Sequence, residues 1–382
     1  MLKIGIISEF NLSNVNYGNR LQALALNMYL NSHFDDVMAV SLYFDDLNDS
    51  IRTKRKSILK KIMSKLNYEY NKITNKSSLV TDVKLRLEKF NEFSKNYTVL
   101  PSHALTKQEL LNSDYDIFIS GSDVVWCQID GVFIKNRFLD FETKKNFRKI
   151  SYAASFGRDY IPKENIALVK RCIKDYDFVS VREKSSIEML KKIGIDNVKH
   201  VLDPTLILGR AEWEKIEKSP KAKLPLEYIF VYMLGGSKED RITITNIARN
   251  NNLSIITIPN AFGTKSDVDN DFGDFQLNDC SPDEWIWLIH HAKYIITDSF
   301  HGVAFSTIFE KPFIVTTRKT TCTEFNNRIL DFLNTINQVD KMVDLKNINM
   351  LGDLNWDYSS INKILKEKVA LSKNFLEKAL EK

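Results

Sequence analysis

Ile296-Thr-Asp-Ser-Phe-His-Gly-Val-Ala-Phe-Ser-Thr307 passes from an apolar strand through a polar turn into an apolar helix, which is the repeating unit of an α/β fold. A helix N-terminus has free backbone N–H groups and a partial positive charge, so such a turn can bind an anion. The histidine in this turn adds a group that can transfer a proton. We therefore expect an anion site with a titratable histidine at the carboxyl end of a strand.

The turn contains four candidate site residues. His301 is the candidate for proton transfer, and the alternative is a histidine with a structural role. Ser299 is expected to cap the helix, and Ser299 and Gly302 are both assigned to the binding of the anion. Asp298 is either a turn residue or a carboxylate that orients its neighbours.

Units of the same kind recur on both sides of this segment. In the first half we predict strands at 2–8, 37–42, 115–120, 148–155, 178–181 and 198–202. In the second half we predict strands at 228–233, 254–258, 294–297 and 313–316. Helical patterns of apolar residues alternate with these strands, and this alternation predicts parallel sheets that helices cover on both faces.

The fold class is therefore predicted as α/β, with two Rossmann-like domains facing a central cleft. We place an N-terminal domain at 1–208, with a basic helical insertion at about 50–95, and a C-terminal domain at 226–345. The proline- and lysine-rich stretch 210–225 is interpreted as an exposed linker. The tail 346–382 is expected to contain one amphipathic helix. Ligands of such domains bind at the carboxyl ends of the strands, so the turns that follow predicted strands should meet in the cleft.

Composition excludes several classes of protein. The chain of 382 residues is 43% apolar and 27% charged, and its formal net charge is +5. These values are typical of a folded protein, and the charge is too small to indicate nucleic-acid binding, although it suits an acidic substrate. The 4 cysteines are scattered along the chain, which predicts neither disulfides nor zinc.

The expected location is cytoplasmic. We expect no signal peptide, and the sequence has no apolar run of about 18 residues that could span a membrane. The segment Ile51–Leu66 contains seven basic residues and no acidic residue, and its apolar residues share one helical face. It is either an amphipathic helix on the anionic inner face of a membrane or a core-facing helix with a lysine-rich outer surface.

Several cationic residues follow predicted strands. Arg182 does so directly, and a guanidinium group at that place suits a carboxylate or a phosphate. The alternative is an ion pair with Glu183. Arg318, Lys319 and Arg328 follow the last predicted strand and can neutralise phosphate, with a solvated surface as the alternative for each.

Two turns of the N-terminal domain are further candidates for ligand binding. In Gly121-Ser-Asp-Val-Val-Trp126, Asp123 is a candidate acid or base, or a ligand of sugar hydroxyls, and Trp126 is a candidate platform for a sugar ring. The alternative is an Asx turn over a core tryptophan. The glycine turn Tyr17-Gly-Asn-Arg20 opens the first helix and is not a dinucleotide fingerprint.

No metal site is predicted. The acidic stretch Asp267–Asp274 has the spacing that begins a calcium loop, but Phe272 replaces the required glycine and Asn278 replaces the final glutamate. His290 and His291 are adjacent on a predicted helix and are expected to face different ways, so we do not expect them to share a metal.

Six motifs occur in order along the chain: Tyr17-Gly-Asn-Arg-Leu-Gln-Ala-Leu-Ala-Leu26, Gly121-Ser-Asp-Val-Val-Trp126, Tyr152-Ala-Ala-Ser-Phe-Gly157, Val181-Arg-Glu-Lys-Ser185, Val201-Leu-Asp-Pro-Thr205 and Asp298-Ser-Phe-His-Gly-Val-Ala-Phe305. Together they resemble the polysaccharide pyruvyl transferase family over about residues 1–335. The resemblance implies an architecture similar to that of GT-B glycosyltransferases. It also implies transfer of the pyruvyl unit of phosphoenolpyruvate to sugar hydroxyls of a bacterial surface-glycan precursor, without a cofactor. Val124 and Cys127 depart from the family pattern and affect acceptor recognition.

The resemblance further implies that His301 and Arg182 handle phosphoenolpyruvate. This donor carries about three negative charges, which suits a cationic pocket at a helix N-terminus. Protonation of its methylene carbon, attack by one sugar hydroxyl and displacement of phosphate by a second would form a cyclic ketal. In this hypothesis His301 is the general acid or a phosphate ligand, Arg182 clamps the carboxylate or phosphate, and Asp123 is the base or holds the acceptor. The residues assigned to acceptor binding are Tyr17, Asn19, Arg20, Asp123 and Trp126.

Two other classes of function remain open from sequence. One is a GT-B glycosyltransferase that uses a nucleotide sugar, which would need a pocket for the base in the second domain. The other is a non-catalytic protein that kept the fold, although His301, Arg182 and Asp123 together favour an enzyme. The acceptor is expected to be a sugar or a lipid-linked oligosaccharide.

Overall fold

The computed structural model describes residues 1–44, 77–128, 133–263, 267–318, 325–348, 351–353 and 356–381. Two of the sequence-based predictions fall outside these residues. They are the basic segment Ile51–Leu66 and the donor-binding assignment of Lys319.

The first sheet is parallel throughout and has the strand order β2-β1-β3-β4-β5-β6. Apolar side chains point to both of its faces because helices cover both sides of a parallel sheet. The order of the strands reverses between β1 and β3, so the crevice beyond their carboxyl ends is the expected ligand position. The strands are β1 (Leu2–Ile7), β2 (Val37–Leu42), β3 (Ile117–Ser120), β4 (Arg148–Ala154), β5 (Phe178–Val181) and β6 (Val198–His200).

The second sheet is also parallel and has the strand order β11-β10-β7-β8-β9. Its order reverses between β7 and β10, and the turn that contains His301 follows β10. The strands are β7 (Tyr228–Tyr232), β8 (Ser254–Thr257), β9 (Phe275–Gln276), β10 (Tyr294–Thr297) and β11 (Phe313–Val315).

Twelve α-helices lie within the described residues: α1 (Tyr17–His33), α2 (Ser77–Tyr97), α3 (Lys107–Leu111), α4 (Ile166–Lys174), α5 (Lys184–Lys192), α6 (Pro204–Leu208), α7 (Arg210–Ile216), α8 (Lys238–Asn250), α9 (Pro282–His291), α10 (Phe300–Ile308), α11 (Phe325–Thr335) and α12 (Tyr358–Leu380). Short 3-10 turns complete the chain at Lys135–Phe138, Lys163–Asn165, Asp267–Asp269, Val339–Lys341, Leu345–Asn347 and Leu351–Asp353. In the part of the chain described, no helix is long and apolar enough to cross a membrane.

The two domains are packed against each other through α1, α2 and α9. Tyr17 stacks on Trp285 with ring centroids 5.5 Å apart, and its hydroxyl donates to the carbonyl of Cys280 at 2.8 Å. Arg86 of α2 reaches across in the same direction and donates to the backbone carbonyls of Pro259, Asn260 and Asn278. These contacts hold the carboxyl edges of the two sheets beside each other.

Helix α12 returns to the first domain. The hydroxyl of Ser372 accepts a hydrogen bond from the backbone N–H of Leu202 at 2.9 Å. Near the chain end, Arg148 of β4 donates to the carbonyls of Ala379 and Glu381 at 3.3 and 3.0 Å. The helix is therefore packed on the first domain and is not a separate unit.

The predicted α/β architecture of two Rossmann-like domains, GT-B-like in arrangement, is confirmed by the two parallel sheets. Every predicted strand is present, whereas the two-residue strand β9 was not predicted because it is too short to show a pattern. The linker prediction for 210–225 is wrong in its first half. Helix α7 forms there because Trp213 is buried against Phe305 and donates its indole N–H to the carbonyl of Thr205.

Candidate active site

The turn after β10 has the predicted helix cap. Ser299 is the N-cap of α10, and its hydroxyl accepts from the N–H of Gly302 at 3.4 Å. Gly302 fits close against the preceding strand, since a Cβ atom there would lie 2.4 Å from Oγ1 of Thr297. The cap and the glycine therefore place the first turn of α10, with His301, directly over the end of β10.

Asp298 has the structural role that the sequence left open. Its carboxylate accepts the backbone N–H groups of Leu234 and Gly235 at 2.7 and 2.9 Å, which fixes the loop after β7. Arg318 donates to its carbonyl at 2.9 Å. Burial, against the opposing effect of Arg318, raises the pKa of this carboxyl above its usual value. Asp298 therefore joins the two loops at the strand-order reversal and supports the turn from behind.

Three groups of the first domain meet at the other side of the cleft. Asp123, Arg182 and Asp203 follow β3, β5 and β6, and all three are buried. Nη1 of Arg182 lies 3.0 Å from Oδ2 of Asp203 and 3.4 Å from Oδ1 of Asp123. Asp123 has a positive φ of 58°, which aspartate tolerates better than most residues, and its backbone is held on β4 by the N–H of Ser155.

Arg182 is held in place by more than these two acids. Its Nε donates to Glu183 at 2.9 Å, so the ion pair considered from sequence exists. Its guanidinium also lies 4.2 Å from the ring centroid of Phe300, at the start of α10. The remaining nitrogen, Nη2, is buried and has no hydrogen-bond partner among the described residues. Arg182 thus presents one free donor in an otherwise fixed geometry.

His301 completes the cluster from the second domain. Its Nε2 lies 3.8 Å from Oδ2 of Asp203 and, within the described part of the chain, forms no hydrogen bond. Its other ring nitrogen, Nδ1, faces the backbone of Gly18 at the start of α1. The imidazole is therefore fixed on one side by α1 and open towards the acids and Arg182 on the other.

Substitution of Gly18 by alanine is expected to displace His301 and lower kcat/KM at least tenfold, because a misplacement of about 1 Å can cost a hundredfold. A Cβ atom at this position would lie 2.1 Å from Nδ1 of His301. Alanine favours a helix over glycine by about 1 kcal/mol, so stability alone would predict an improvement. Gly352→Ala is the matched control, because a Cβ there meets nothing within 4 Å. Equal activities of the two variants would contradict the contact.

The pKa values of Asp123 and His301 are both lowered in the site, but for different reasons. Burial alone would raise the pKa of Asp123, but Arg182, His301 and Arg328 outweigh it and lower the pKa to about 2. Burial lowers the pKa of His301, with Asp203 and Asp123 opposing this and Arg182 and Arg328 reinforcing it. At neutral pH, Asp123 is therefore an ionised and very weak base. The imidazole needs nearby negative charge to take up a proton.

Two further arginines line the cluster. Arg328 of α11 donates to Oδ1 of Asp123 at 3.2 Å, and burial followed by the nearby Arg182 lowers its pKa to about 10. Arg318 lies behind the turn with its Nε 3.6 Å from Oδ2 of Asp298. The solvated surface that was the alternative for these two residues is wrong, because both side chains are buried.

Of the three acceptor-side residues at the start of α1, only Asn19 reaches the cluster. Its amide donates to Oδ2 of Asp123 at 2.6 Å. Tyr17 is fully buried in the interface described above, and its hydroxyl is bonded to Cys280. Arg20 points away, with hydrogen bonds to Asn14, Asn91 and Ser94.

The structure also gives Trp126 the core position that was the alternative to a sugar platform. The side chain is fully buried, stacked on Phe138 at 5.4 Å and packed against Phe156. The assignments of Tyr17, Arg20 and Trp126 to acceptor binding are therefore corrected. The prediction failed because a tyrosine, a tryptophan or an arginine at a strand–helix turn can pack into the core instead of lining a cleft, and all three of these side chains are buried.

Asp203 is the residue of the cluster that sequence reasoning did not assign. It was visible only as part of an Asp-Pro pair at the end of a predicted strand. The same position relative to a strand had pointed to Asp123 and Arg182. In the structure Asp203 is the N-cap of α6 and contacts Arg182 as well.

One group of metal-ligand types occurs among the described residues. Ligand atoms of Glu217, His290 and His291 lie within 4.8 Å of one another, so the expectation that the two histidines face apart was wrong. His290 already bonds Glu217 through Nδ1 at 2.8 Å and Arg210 through Nε2 at 3.2 Å. The neighbouring guanidinium disfavours a cation there, and none of the three belongs to the His301 cluster.

Comparisons with known proteins give a family and a set of distant structural relatives. The sequence model of the family described as polysaccharide pyruvyl transferase matches residues 16–320. A search of curated proteins found no significant match.

Solved structures of similar shape include the Staphylococcus aureus MnaA–UDP complex, with 11% identity, coverage of 92% of this chain and 94% of that chain, and a TM-score of 0.47. The UDP-GlcNAc 2-epimerase from Neisseria meningitidis bound to UDP-GlcNAc has 10% identity, coverage of 97% and 100%, and a TM-score of 0.47. The Escherichia coli heptosyltransferase WaaC with ADP has 10% identity, coverage of 90% and 100%, and a TM-score of 0.40.

Proposed function

Because the chain belongs to the polysaccharide pyruvyl transferase family, we propose that it transfers the pyruvyl unit of phosphoenolpyruvate to two hydroxyls of a sugar. The product is a cyclic pyruvate ketal, and phosphate is released. The proposed acceptor is a sugar or lipid-linked oligosaccharide precursor of a bacterial surface glycan. The proposed place of the reaction is the cytoplasm, at the inner face of the membrane where the acceptor is lipid-linked.

One observation carries the proposal of an anionic donor. Nη2 of Arg182 and Nε2 of His301 are both buried without a partner among the residues described, and both side chains approach the same oxygen of Asp203. Buried polar groups are nearly always paired, so two orphaned nitrogens in one cluster call for a ligand with acceptor oxygens. Arg328 and Arg318 add positive charge around them. A trianion with a carboxylate and a phosphate meets this demand.

The proposal also gives His301 and the two sugar hydroxyls a role in each step of the reaction. A proton moves from His301 to the methylene carbon of phosphoenolpyruvate, which forms a C–H bond at the expense of the double bond. A sugar hydroxyl attacks the resulting cationic carbon, and its proton restores His301. The second hydroxyl then displaces phosphate, which leaves with that hydroxyl's proton as hydrogen phosphate.

Arg182 clamps the donor in this proposal, and Asp123 positions the acceptor. A carboxyl with a pKa of about 2 is too weak a base to be the main proton acceptor at neutral pH. Oδ2 of Asp123 also accepts a hydrogen bond from the side-chain amide of Asn19 at 2.6 Å, which fixes this oxygen beside the start of α1. Of the two roles left open by sequence, positioning is therefore the one we propose.

Thermal-shift titration tests the donor. Phosphoenolpyruvate is expected to raise the melting temperature, since a ligand at about 100 times its Kd stabilises by roughly 2.7 kcal/mol. Pyruvate and inorganic phosphate, tested separately, should give smaller shifts because each satisfies only part of the cationic cluster. A shift with UDP-, ADP- or GDP-sugars and none with phosphoenolpyruvate would favour the nucleotide-sugar glycosyltransferase and overturn the proposal.

A further inference from the structure

Asp203 has more partners than a helix cap needs. Its Oδ1 accepts from the N–H and the hydroxyl of Thr205 at 3.1 and 2.8 Å, and these two bonds complete the cap of α6. Its Oδ2 turns the other way and accepts from the hydroxyl of Ser122 at 2.9 Å and from Nη1 of Arg182 at 3.0 Å. The carboxylate is fully buried. One oxygen is therefore structural, and the other faces the candidate active site.

The outward oxygen also faces His301 from the opposite domain. Nε2 of His301 lies 3.8 Å from Oδ2 of Asp203 and has no hydrogen-bond partner among the described residues. The opposite edge of the imidazole is blocked by Gly18, where even a methyl group would collide with Nδ1. Nε2 is therefore the ring nitrogen that faces Asp203, and Nδ1 is the one that faces α1.

We propose that Asp203 is a positioning residue that stabilises the protonated form of His301. The same oxygen, Oδ2, keeps the imidazole of His301 and the guanidinium of Arg182 beside each other. The inference rests on the proposed function for its catalytic consequence, but the coupling between Asp203 and His301 is a property of the free protein. Four charged groups face His301. Two are acids, Asp203 after β6 and Asp123 after β3, and two are arginines, Arg182 after β5 and Arg328 on α11.

The balance of these charges makes Asp203 the decisive one. Burial is the largest influence on His301 and lowers its pKa, and Asp203 is the strongest opposing influence, ahead of Asp123. The positive charges of Arg182 and Arg328 both disfavour protonation of His301. Asp123 is further engaged by Arg182, Arg328 and Asn19. Without Asp203, the imidazolium would therefore lose its main stabilising partner.

The test is an NMR titration of protein labelled with 15N-histidine, without substrate. The chain has 6 histidines, and His301→Gln identifies the His301 signals. Asp203→Asn is expected to move the His301 midpoint to lower pH by about half a unit or more, since a neighbouring opposite charge shifts a pKa by about one to three units. Ser122→Ala is the matched control. It removes one donor from the same oxygen but keeps the charge, so the midpoint should stay where it is.

A second measurement avoids the risk that Asp203→Asn does not fold. In wild-type protein labelled with 13C-aspartate, the carboxyl carbon of Asp203 should show an inflection at the midpoint of His301. An absent inflection, or an unchanged His301 midpoint in folded Asp203→Asn, overturns the proposal.

Kinetics then connect the coupling to the reaction. In a phosphate-release assay, Asp203→Asn should lower kcat roughly tenfold or more and change the KM for phosphoenolpyruvate much less. The alkaline limb of the kcat/KM profile should move to lower pH by the same shift as the NMR midpoint, because deprotonation of His301 ends activity on that side. A limb that stays in place while kcat falls overturns the proposal. Failure of phosphoenolpyruvate to react at all would instead contradict the proposed function and leave the titration result valid.

Discussion

Replacement of His301 by alanine is expected to lower kcat for ketal formation by about two to four orders of magnitude, the range that general acid–base groups contribute. The proposal places Nε2 of His301 at the carbon that receives the proton, and His301 is the one histidine of the cluster among the described residues. Phosphate release from phosphoenolpyruvate with a sugar acceptor is the measurement. Melting temperature and donor binding must be recorded on the same sample because the side chain is buried.

His103→Ala is the control for this variant. His103 is exposed and paired with Glu109 on the outer surface of the first domain, so its loss should leave turnover unchanged. If folded His301→Ala protein turns over at the wild-type rate, the role proposed for His301 is wrong. If kcat is kept but donor affinity falls, His301 is a phosphate ligand and not the acid.

Replacement of Arg182 by lysine is expected to reduce kcat/KM for phosphoenolpyruvate about a hundredfold or more. Lysine keeps the charge but cannot hold Glu183, Asp123 and Asp203 together while presenting a further donor. Loss of two hydrogen bonds to charged groups, at about 1.5 to 3 kcal/mol each, accounts for a change of this size. Isothermal titration with phosphoenolpyruvate measures the loss of affinity directly.

Arg171→Lys is the matched control for this change. Arg171 of α4 is exposed and pairs with Asp140, so the same exchange there should not affect donor affinity. Wild-type affinity in Arg182→Lys would show that the guanidinium fork is not a donor clamp. A loss of folding would appear as a lower melting temperature without ligand and would be distinguished from a loss of binding.

Much of the fold was predictable because its signals are local. Short apolar runs such as Phe178–Val181 and the capped turn at Ser299 depend on neighbours in sequence, and both are present as predicted. Helix α7 was missed because its anchor is the distant Phe305, which a window around Trp213 does not contain.

The candidate site was predictable only in part, for the same reason. Arg182 and Asp123 could be proposed because each follows a predicted strand, and the structure brings them together with His301. Asp203 was not assigned, and Arg328 was considered only as one of three cations that can neutralise phosphate. The contacts that bring these two residues into the cluster span 98 residues, from Asp203 to His301, and 205 residues, from Asp123 to Arg328. Tyr17 and Trp126 show the reverse error, since burial is decided by packing that a turn motif does not encode.

The packing of the end of α12 on β4 decides where fluorescent labels can detect a movement between the two domains. Strand β1 and the last turns of α12 both lie on the first domain, so the chain crosses twice between this domain and the second one. A pair of fluorophores attached beside β1 and beside the last turn of α12 would report a constant distance even if the domains separated. A label at the exposed Ile242 of α8, paired with either of these, would report any change in the distance between the two domains.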